Sequence, residues 1–260
     1  MSEPADQIDS NPSAHETSDE QSPDVSIVIP IYNEEGILSA SVADLTEKLG
    51  DDPRWDWSYE IILTENGSSD QTVEVARDLM RRHPELRLIH TPQPNYGLAM
   101  RKGIHEARGD VVICDEIDLC DTDFYMGAMD KLLEENYDLV IGSKALRSSS
   151  DQRPMYRRMA TRVLNFLFRV FLGFRGTDTH GLKAFKRDRL LEVVDECVVN
   201  KDLFASEFVI RAERMDFRMT EIPLTVVEKR KPSINLFARV PNVLKNLARL
   251  VWYIRIRNRS

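Results

Sequence analysis

Several residue types and patterns are scarce in this chain, and each scarcity excludes a class of protein. The only three cysteines are Cys114, Cys120 and Cys197, an odd number without the spacing of a disulfide framework. This usage indicates a reducing, cytosolic setting. No apolar run reaches the roughly 20 residues that a membrane-spanning helix needs, and the longest one, residues 163–174, is interrupted by Arg169. The five histidines lack the spacing of a zinc site.

The two ends of the chain carry opposite charge, because the first lacks basic residues and the last lacks acidic ones. Residues 1–24 hold seven acidic residues and no Lys or Arg, and they are rich in Ser, Pro and Gln. Such a segment buries too little apolar surface to offset its ordering entropy, so we predict a disordered acidic tail. It also lacks the basic start and apolar run of a secretory signal. Residues 228–260 contain no acidic residue after Glu228 but many Lys and Arg residues. This positive charge suits an anionic partner such as phosphate, nucleic acid or a membrane surface.

Strand and helix patterns alternate through the first half of the chain. Apolar runs predict strands at residues 25–30, 60–64, 86–90, 111–114 and 138–141, with helices at residues 37–49, 71–82, 97–107 and 124–135 between them. This rhythm predicts an α/β fold with a mainly parallel central sheet and helices on both faces. We expect one domain over residues 25–227, followed by a basic amphipathic segment over residues 228–260.

Two later segments combine helical periodicity with arginine and aromatic residues. They are residues 156–171 and residues 237–256, which carries Trp252 and Tyr253 beside basic residues. Ordinary solvated helix faces are one interpretation. Arginine next to Trp and Tyr on an amphipathic helix is also typical of a membrane interface, so we expect peripheral contact with a membrane.

Three carboxylates follow the fourth predicted strand. The segment Asp115-Glu116-Ile117-Asp118 comes directly after the apolar run that ends at Cys114. Open α/β sheets bind their ligands at the carboxyl ends of strands. Crowded carboxylates repel one another unless a cation lies between them, and Mg²⁺ prefers oxygen ligands that it shares with substrate phosphates. The alternative is a solvated acidic turn.

Polar groups also follow the three earlier strands. The segments are Pro30–Glu35, Glu65–Asp70 and Asn95–Ala99. Tyr32 could pack against a base or a ribose, and Glu34 and Asn66 could accept hydrogen bonds from a base or a sugar. Four strand ends that present polar groups to one crevice, one of them with a cation site, have the layout of a nucleoside-diphosphate site.

The same motifs resemble a known family. Ser26–Glu35 is similar, nearly residue for residue, to the opening motif of family 2 glycosyltransferases of the GT-A fold. The chain most resembles the polyprenyl-phosphate glycosyltransferases related to dolichol-phosphate mannose synthase. Asn66–Asp70 resembles the second family motif, in which Glu65 and Asn66 replace a pair of Asp. The resemblance covers about residues 25–227.

The resemblance also implies roles for individual residues. Aligned on Leu119, the metal motif places Asp118 and Glu116 as ligands of Mg²⁺ or Mn²⁺, with Asp115 as an alternative to Glu116. Cys120 stands where these enzymes often have Gln, and we predict a buried structural thiol there. The implied nucleotide-binding residues are Pro30, Tyr32, Glu34, Glu65, Asn66, Gly97, Asp115 and Glu116. The implied phosphate-binding residues are Lys144, Arg230 and Lys231.

The activity that the resemblance implies is inverting, metal-dependent transfer of a sugar from a UDP- or GDP-sugar. The expected acceptor is a polyprenyl phosphate at the cytosolic membrane face, and a phosphate oxygen needs no deprotonation. A hydroxyl acceptor would need a base, for which Asp178 and Glu207 are the candidates. The alternatives are transfer to a soluble or glycan hydroxyl, and a catalytically silent nucleotide-binding protein. No recognised nucleic-acid motif is present, and homo-oligomers are left open.

Overall fold

The computed structural model describes residues 22–146, 155–201, 203–224 and 236–255. In these ranges the strands are β1 (Val25–Ile31), β2 (Tyr59–Asn66), β3 (Leu86–Thr91), β4 (Val111–Cys114), β5 (Leu139–Ser143), β6 (Lys183–Lys186) and β7 (Met219–Pro223). The helices are α1 (Leu38–Asp51), α2 (Thr72–Met80), α3 (Tyr96–Glu106), α4 (Thr122–Leu133), α5 (Met155–Leu172), α6 (Arg187–Glu196), α7 (Phe204–Arg214) and α8 (Leu236–Arg255).

The strands form one sheet in the order β3-β2-β1-β4-β6-β5-β7. All pairings are parallel except those of β6, which runs antiparallel to both β4 and β5. The prediction of a mainly parallel sheet is therefore confirmed. The sequence pattern did not indicate β6, because its four residues begin and end with lysine. In the sheet, β6 lies between β4 and β5, both of which come earlier in the chain.

Helices cover both faces of the sheet, as predicted. Alternate residues of a strand point to opposite faces, so Ile27 and Ile29 join one hydrophobic core while Val28 joins the other. The first core is closed by α1, α2 and α4, and the second by α3 and α5 to α8. The loops that follow β1, β2 and β4 consequently meet at one edge of the sheet, between the two helical layers.

The later part of the chain differs from expectation in several details. The sequence pattern missed α6. It also predicts a short strand over residues 219–227, of which the described residues contain β7, Met219–Pro223. Helix α8 does not stand apart, because Leu247, Leu250 and Ile254 are buried in the second core. The predicted tail lies outside the described residues apart from residues 22–24, and the domain boundaries stay predictions. Among the described helices, none is both long and apolar enough to cross a bilayer.

Candidate active site

The loop after β1 is tied to the loop after β2. Asn33, which has a positive φ of 53°, accepts a hydrogen bond from the Ser69 amide at 2.8 Å. The Glu34 amide donates to Thr72 Oγ1 at 2.7 Å, and the Glu34 side chain is buried. Tyr32 is 43% exposed, so its ring is available to a ligand. Pro30 lies at the end of β1, paired with Thr64 of β2.

The end of β2 carries two buried polar side chains. Glu65 is fully buried, and its carboxylate accepts the Ser68 amide and contacts His90 Nδ1. Asn66 Oδ1 accepts the Asn95 amide at 2.5 Å, which links β2 to the start of α3. Sequence reasoning gave His90 no role, although it faces Glu65 in the register of β2 and β3. Only the pairing of these strands brings a histidine to a predicted nucleotide-binding residue.

Gly97 lies where α3 meets the start of α7. A Cβ atom there would be 2.3 Å from the Asn200 carbonyl oxygen and 2.6 Å from Phe204 Cβ. The structure therefore explains this glycine by the close packing of α3, which leaves no room for a side chain. A contact between Gly97 and a nucleotide stays a prediction.

Of the three carboxylates after β4, that of Asp115 is held by hydrogen bonds within the protein. Asp115 is buried, and its side chain accepts the Tyr125 hydroxyl and, at 2.5 Å, the Glu116 amide. Burial raises the pKa of Asp115 to about 7, against the effect of the Tyr125 hydrogen bond. Glu116 and Asp118 are partly buried in a turn that the hydrogen bond from the Leu119 amide to the Glu116 carbonyl closes at 2.9 Å. Asp115 is thus held by the fold, and Glu116 and Asp118 remain the predicted metal ligands.

This donor set fits one kind of metal site. Among residues 22–146, 155–201, 203–224 and 236–255, no three His, Cys, Asp or Glu side chains converge as an all-protein metal cage would require. Mg²⁺ is usually held by one or two carboxylates together with substrate phosphates. Glu116 and Asp118 fit that second arrangement. Cys120 is buried, with its thiol 3.6 Å from the Ile117 carbonyl, which agrees with a structural cysteine.

A pocket beside the acidic turn contains residues that sequence reasoning missed. Its lining includes Tyr96, Glu116, Lys183 and Phe204. The Lys183 ammonium is buried and donates to the Gly181 carbonyl at 2.7 Å. Burial lowers the pKa of Lys183, while the nearby charges of Asp178 and Glu116 oppose this effect. A lysine inside the apolar segment Leu182–Phe185 was the available signal, but its position became clear only from the pairing of β4 with β6.

Asp178 anchors the loop that leads into β6. Its carboxylate accepts the Lys144 amide at 3.1 Å and the His180 amide at 2.8 Å, and the side chain is buried. Gly181 closes the same loop, since a Cβ atom there would lie 1.5 Å from the Gly142 carbonyl oxygen. Lys144 is therefore held next to the Asp178 loop. Arg230 and Lys231, the other predicted phosphate-binding residues, lie outside the described residues.

Glu207, the second candidate base, has its carboxylate surrounded by protein donors. It is fully buried on α7 and accepts the Val198 amide at 2.9 Å, the Val199 amide at 2.7 Å and Arg211 Nε at 2.8 Å. These bonds join α7 to the segment after α6. They favour a structural role for Glu207 over the predicted role as a base, because a base must reach the proton that it removes.

The chain has the GT-A fold, which it shares with solved structures of glycosyltransferases. The chain is similar to glucosyl-3-phosphoglycerate synthase from Mycobacterium tuberculosis in complex with Mn²⁺, UDP and glucosyl-3-phosphoglycerate, with a TM-score of 0.60 and 20% identity over 89% of this chain and 80% of that one. It is also similar to a mannosyltransferase from Pyrobaculum calidifontis in complex with GDP-Man and Mn²⁺, with a TM-score of 0.51 and 22% identity over 81% of this chain and 59% of that one.

The sequence places the chain within this class. The family model for glycosyl transferase family 2 matches residues 26–194, and the chain belongs to that family. Glycosyltransferase AglD of Haloferax volcanii is 29% identical over 91% of this chain and 38% of its own length. Undecaprenyl-phosphate 4-deoxy-4-formamido-L-arabinose transferase of Photorhabdus laumondii is 31% identical over 68% and 53%. A dolichyl-phosphate beta-glucosyltransferase of Trichomonas vaginalis is 26% identical over 76% and 64%. The chain thus spans less than two thirds of each of these relatives.

Proposed function

We propose that this glycosyltransferase transfers a sugar, with inversion, from a UDP- or GDP-sugar to a polyprenyl phosphate at a membrane surface, and that it needs a divalent cation. Two relatives carry a polyprenyl or dolichyl phosphate in their names. Structures of the same fold contain UDP or GDP-Man with Mn²⁺, and one contains UDP with Mg²⁺. These names support the substrate classes, while the residues below support the mechanism.

The donor would lie across the ends of β1, β2 and β4. Tyr32 offers an exposed ring to the base or ribose, and Asn66 lies at the end of the neighbouring strand. Glu116 and Asp118 would hold Mg²⁺ or Mn²⁺ against the diphosphate, where the cation supplies Lewis-acid stabilisation of the leaving group. Lys144 would add a positive charge near the phosphates. Its position next to the Asp178 loop supports this role.

The acceptor proposal depends on one observation: the carboxylates of both candidate bases are already hydrogen-bonded within the protein. Asp178 and Glu207 are each fully buried, and their carboxylates accept hydrogen bonds from main-chain amides. A sugar hydroxyl would have to be deprotonated by a positioned base, whereas a phosphate monoester is already ionised at neutral pH. A site whose candidate bases are committed to the fold therefore favours a phosphate acceptor.

An acceptor assay tests this proposal. Purified chain, Mn²⁺ and radiolabelled UDP- and GDP-sugars are incubated with a polyprenyl phosphate in detergent or, separately, with soluble sugar and glycerate hydroxyl acceptors. We expect labelled product only in the organic phase that contains the polyprenyl phosphate. Transfer to a hydroxyl acceptor alone would contradict the proposed acceptor. Tight nucleotide binding without transfer or sugar-nucleotide hydrolysis would indicate the silent binding protein instead.

The proposed membrane contact rests on an exposed apolar stripe along α5. Met159, Val163, Phe166 and Val170 recur at helical spacing and are each more than half exposed, at 60%, 54%, 60% and 53%. Helix α8 contacts α5 and exposes Val240, Leu244 and Trp252. Arg162 and Arg169 lie on α5 among these apolar residues. Apolar side chains combined with arginine suit the interface of an anionic bilayer.

Replacing Phe166 and Val170 together by Glu should weaken binding to vesicles by about tenfold or more, because two apolar anchors become charges that the anionic surface repels. Co-sedimentation with phosphatidylglycerol vesicles measures the effect. Met80→Glu with Leu133→Glu is the matched control, since both side chains are exposed on helices of the other face. Equal sedimentation of the two variants would contradict a membrane-facing α5. If α5 instead contacts a second copy of the chain, gel filtration of the wild type would show a dimer that the Glu variant of α5 loses.

A further inference from the structure

Thr177, the residue before Asp178, joins three elements of the fold. Its main-chain amide donates to Glu221 Oε1 on β7 at 2.6 Å, and its carbonyl oxygen accepts Asn165 Nδ2 on α5, also at 2.6 Å. Its hydroxyl lies between the Glu221 carboxylate and the hydroxyl of Ser143, at the end of β5, with 2.6 Å between the two hydroxyl oxygens. The amide, the carbonyl and the hydroxyl of Thr177 are therefore all hydrogen-bonded within the protein.

The Glu221 carboxylate fixes the direction of this chain of hydrogen bonds. A carboxylate accepts hydrogen bonds, so the Thr177 hydroxyl donates to it. The Ser143 hydroxyl then donates to Thr177 Oγ1, and its own oxygen accepts the Ala145 amide at 3.2 Å. The chain thus runs from the Ala145 amide through two hydroxyl groups to Glu221.

These hydrogen bonds hold the main chain on both sides of Lys144. The Lys144 amide donates to Asp178 Oδ2 at 3.1 Å, and the next amide, that of Ala145, donates to Ser143 Oγ. The main-chain amide of Asp178 in turn donates to Glu221 Oε1 at 3.4 Å. The two peptide groups that flank the Lys144 Cα are thus held by different side chains, and both routes lead to Glu221.

Much of this network is shielded from water. Ser143 and Asp178 are fully buried, and Glu221 is partly buried on β7, at the edge of the sheet. Buried hydrogen-bonded networks hold their members in defined positions, because each bond polarises the next. A lysine side chain has a flexible four-carbon stem. A fixed main chain at its base consequently narrows the volume that the Lys144 ammonium can reach.

We propose that Glu221 and Thr177 are positioning residues, which hold the main chain at Lys144 so that its ammonium meets the phosphates of the sugar nucleotide. This inference rests on the proposed function, which includes the phosphate-binding role of Lys144. Both residues act through the lysine and not by contact with the substrate. Displacement of a binding group by about 1 Å can cost about a hundredfold in rate, so a remote network of this kind can matter for binding and turnover.

The simpler explanation is that the network only fastens β7 to the sheet. β7 pairs with β5 over residues Met219–Pro223 and Leu139–Ser143, and the bonds of Thr177 add to that pairing. In that case, changes at Thr177 or Glu221 would lower the unfolding temperature but leave the nucleotide affinity of the folded protein unchanged. Nucleotide binding, measured with and without the charge of Lys144, separates the two explanations.

The first test is calorimetric titration of the full chain with UDP and with GDP in the presence of Mn²⁺. Lys144→Gln should weaken binding by about tenfold, since a charge-assisted hydrogen bond is lost. Thr177→Val removes the hydroxyl and keeps the main-chain groups, and it should weaken binding by about fivefold or more. Thr177→Ser keeps the hydroxyl and should bind nucleotide like the wild type.

Glu221→Ala and Glu213→Ala form a matched pair for the carboxylate. Glu213 accepts the main-chain amide of Arg175, two residues before Thr177, at 3.1 and 3.2 Å. Both variants therefore remove one negative charge and one acceptor from the same segment. Glu221→Ala should weaken nucleotide binding by about fivefold or more, whereas Glu213→Ala should stay within about twofold of the wild type. Equal affinities of the two variants would contradict a special role of Glu221.

The combined variant Thr177→Val with Lys144→Gln shows whether Thr177 acts through the lysine. If it does, the combined variant binds nucleotide like Lys144→Gln alone, within about twofold, because the effects of coupled residues do not add. Additive losses would overturn the inference, and so would wild-type affinity of Thr177→Val. Wild-type affinity of Lys144→Gln would overturn the phosphate-binding role of Lys144 in the proposed function, and this inference with it.

Hydrogen exchange without nucleotide tests the network independently of the proposed function. The amides of Lys144 and Ala145 should exchange about tenfold faster in Thr177→Val than in the wild type, as expected when a local set of hydrogen bonds opens more often. Thr177→Ser should match the wild type. Unchanged protection of both amides in folded Thr177→Val would show that the network does not hold Lys144, even where the chain transfers sugar as proposed.

Discussion

Replacement of Asp118 by Ala is expected to lower sugar transfer by about a thousandfold or more while leaving the fold intact. The reason is electrostatic. Asp118 and Glu116, both partly buried in the turn after β4, are the proposed metal ligands, and a cation shared with the diphosphate would contribute several kcal/mol to stabilising the leaving group. Each loss of about 1.4 kcal/mol slows the reaction tenfold. Single-turnover rates at saturating Mn²⁺ measure this effect.

Asp123→Ala is the matched control for Asp118. Asp123 lies five residues later in the first turn of α4, and its side chain is 90% exposed. Its removal takes away one nearby negative charge without touching the proposed metal ligands, so turnover should stay within about twofold of the wild type, as is usual for surface substitutions. Circular dichroism checks the fold of both variants. Normal turnover and normal Mn²⁺ activation in Asp118→Ala would refute the metal-site assignment.

Replacement of Glu207 by Ala is expected to cost about 3–5 kcal/mol of unfolding free energy. The change leaves the guanidinium of Arg211, which is only 5% exposed, without its buried partner. It also leaves the amides of Val198 and Val199 without acceptors. Urea unfolding followed by fluorescence measures the loss.

Two further variants separate the structural role of Glu207 from a catalytic one. Glu196 pairs with the same arginine, at 3.1 Å, but its side chain is 42% exposed, so Glu196→Ala should cost less than about 1 kcal/mol. Glu207→Gln keeps an acceptor oxygen for the amides and should retain turnover in correctly folded protein. A folded Glu207→Gln protein without activity would instead identify Glu207 as a required base, and would weaken the case for a phosphate acceptor.

The parts of the site that were predicted from sequence are those formed by local strand-end patterns. Periodic apolar runs located β1 to β5, and the acidic turn was found because it directly follows β4. Lys183 and His90 were missed because their neighbours come from other strands, Cys114 across the β4–β6 pair and Glu65 across the β2–β3 pair. Contacts between distant segments leave little trace in a local pattern.

The orientation of buried polar side chains could not be predicted from the residue pattern either. In the sequence, Asp115 is one more carboxylate of an acidic turn. In the structure it is buried and accepts a hydrogen bond from the Tyr125 hydroxyl on α4. Glu207 reads as a carboxylate on an amphipathic helix, but two amides and Arg211 surround it. Each outcome depends on which donors the packed helices bring within reach, since a buried carboxylate must find hydrogen-bond partners.

By itself, the sequence determined the alternating α/β architecture and the strand ends at which polar residues gather. Hydrophobic periodicity and motif order are local properties of a chain, and they sufficed for both. Only the tertiary structure decided which carboxylates the fold itself engages, as it does Asp115 and Glu207. Those features arise where segments far apart in the chain pack together, and burial there assigns each charged group its partner.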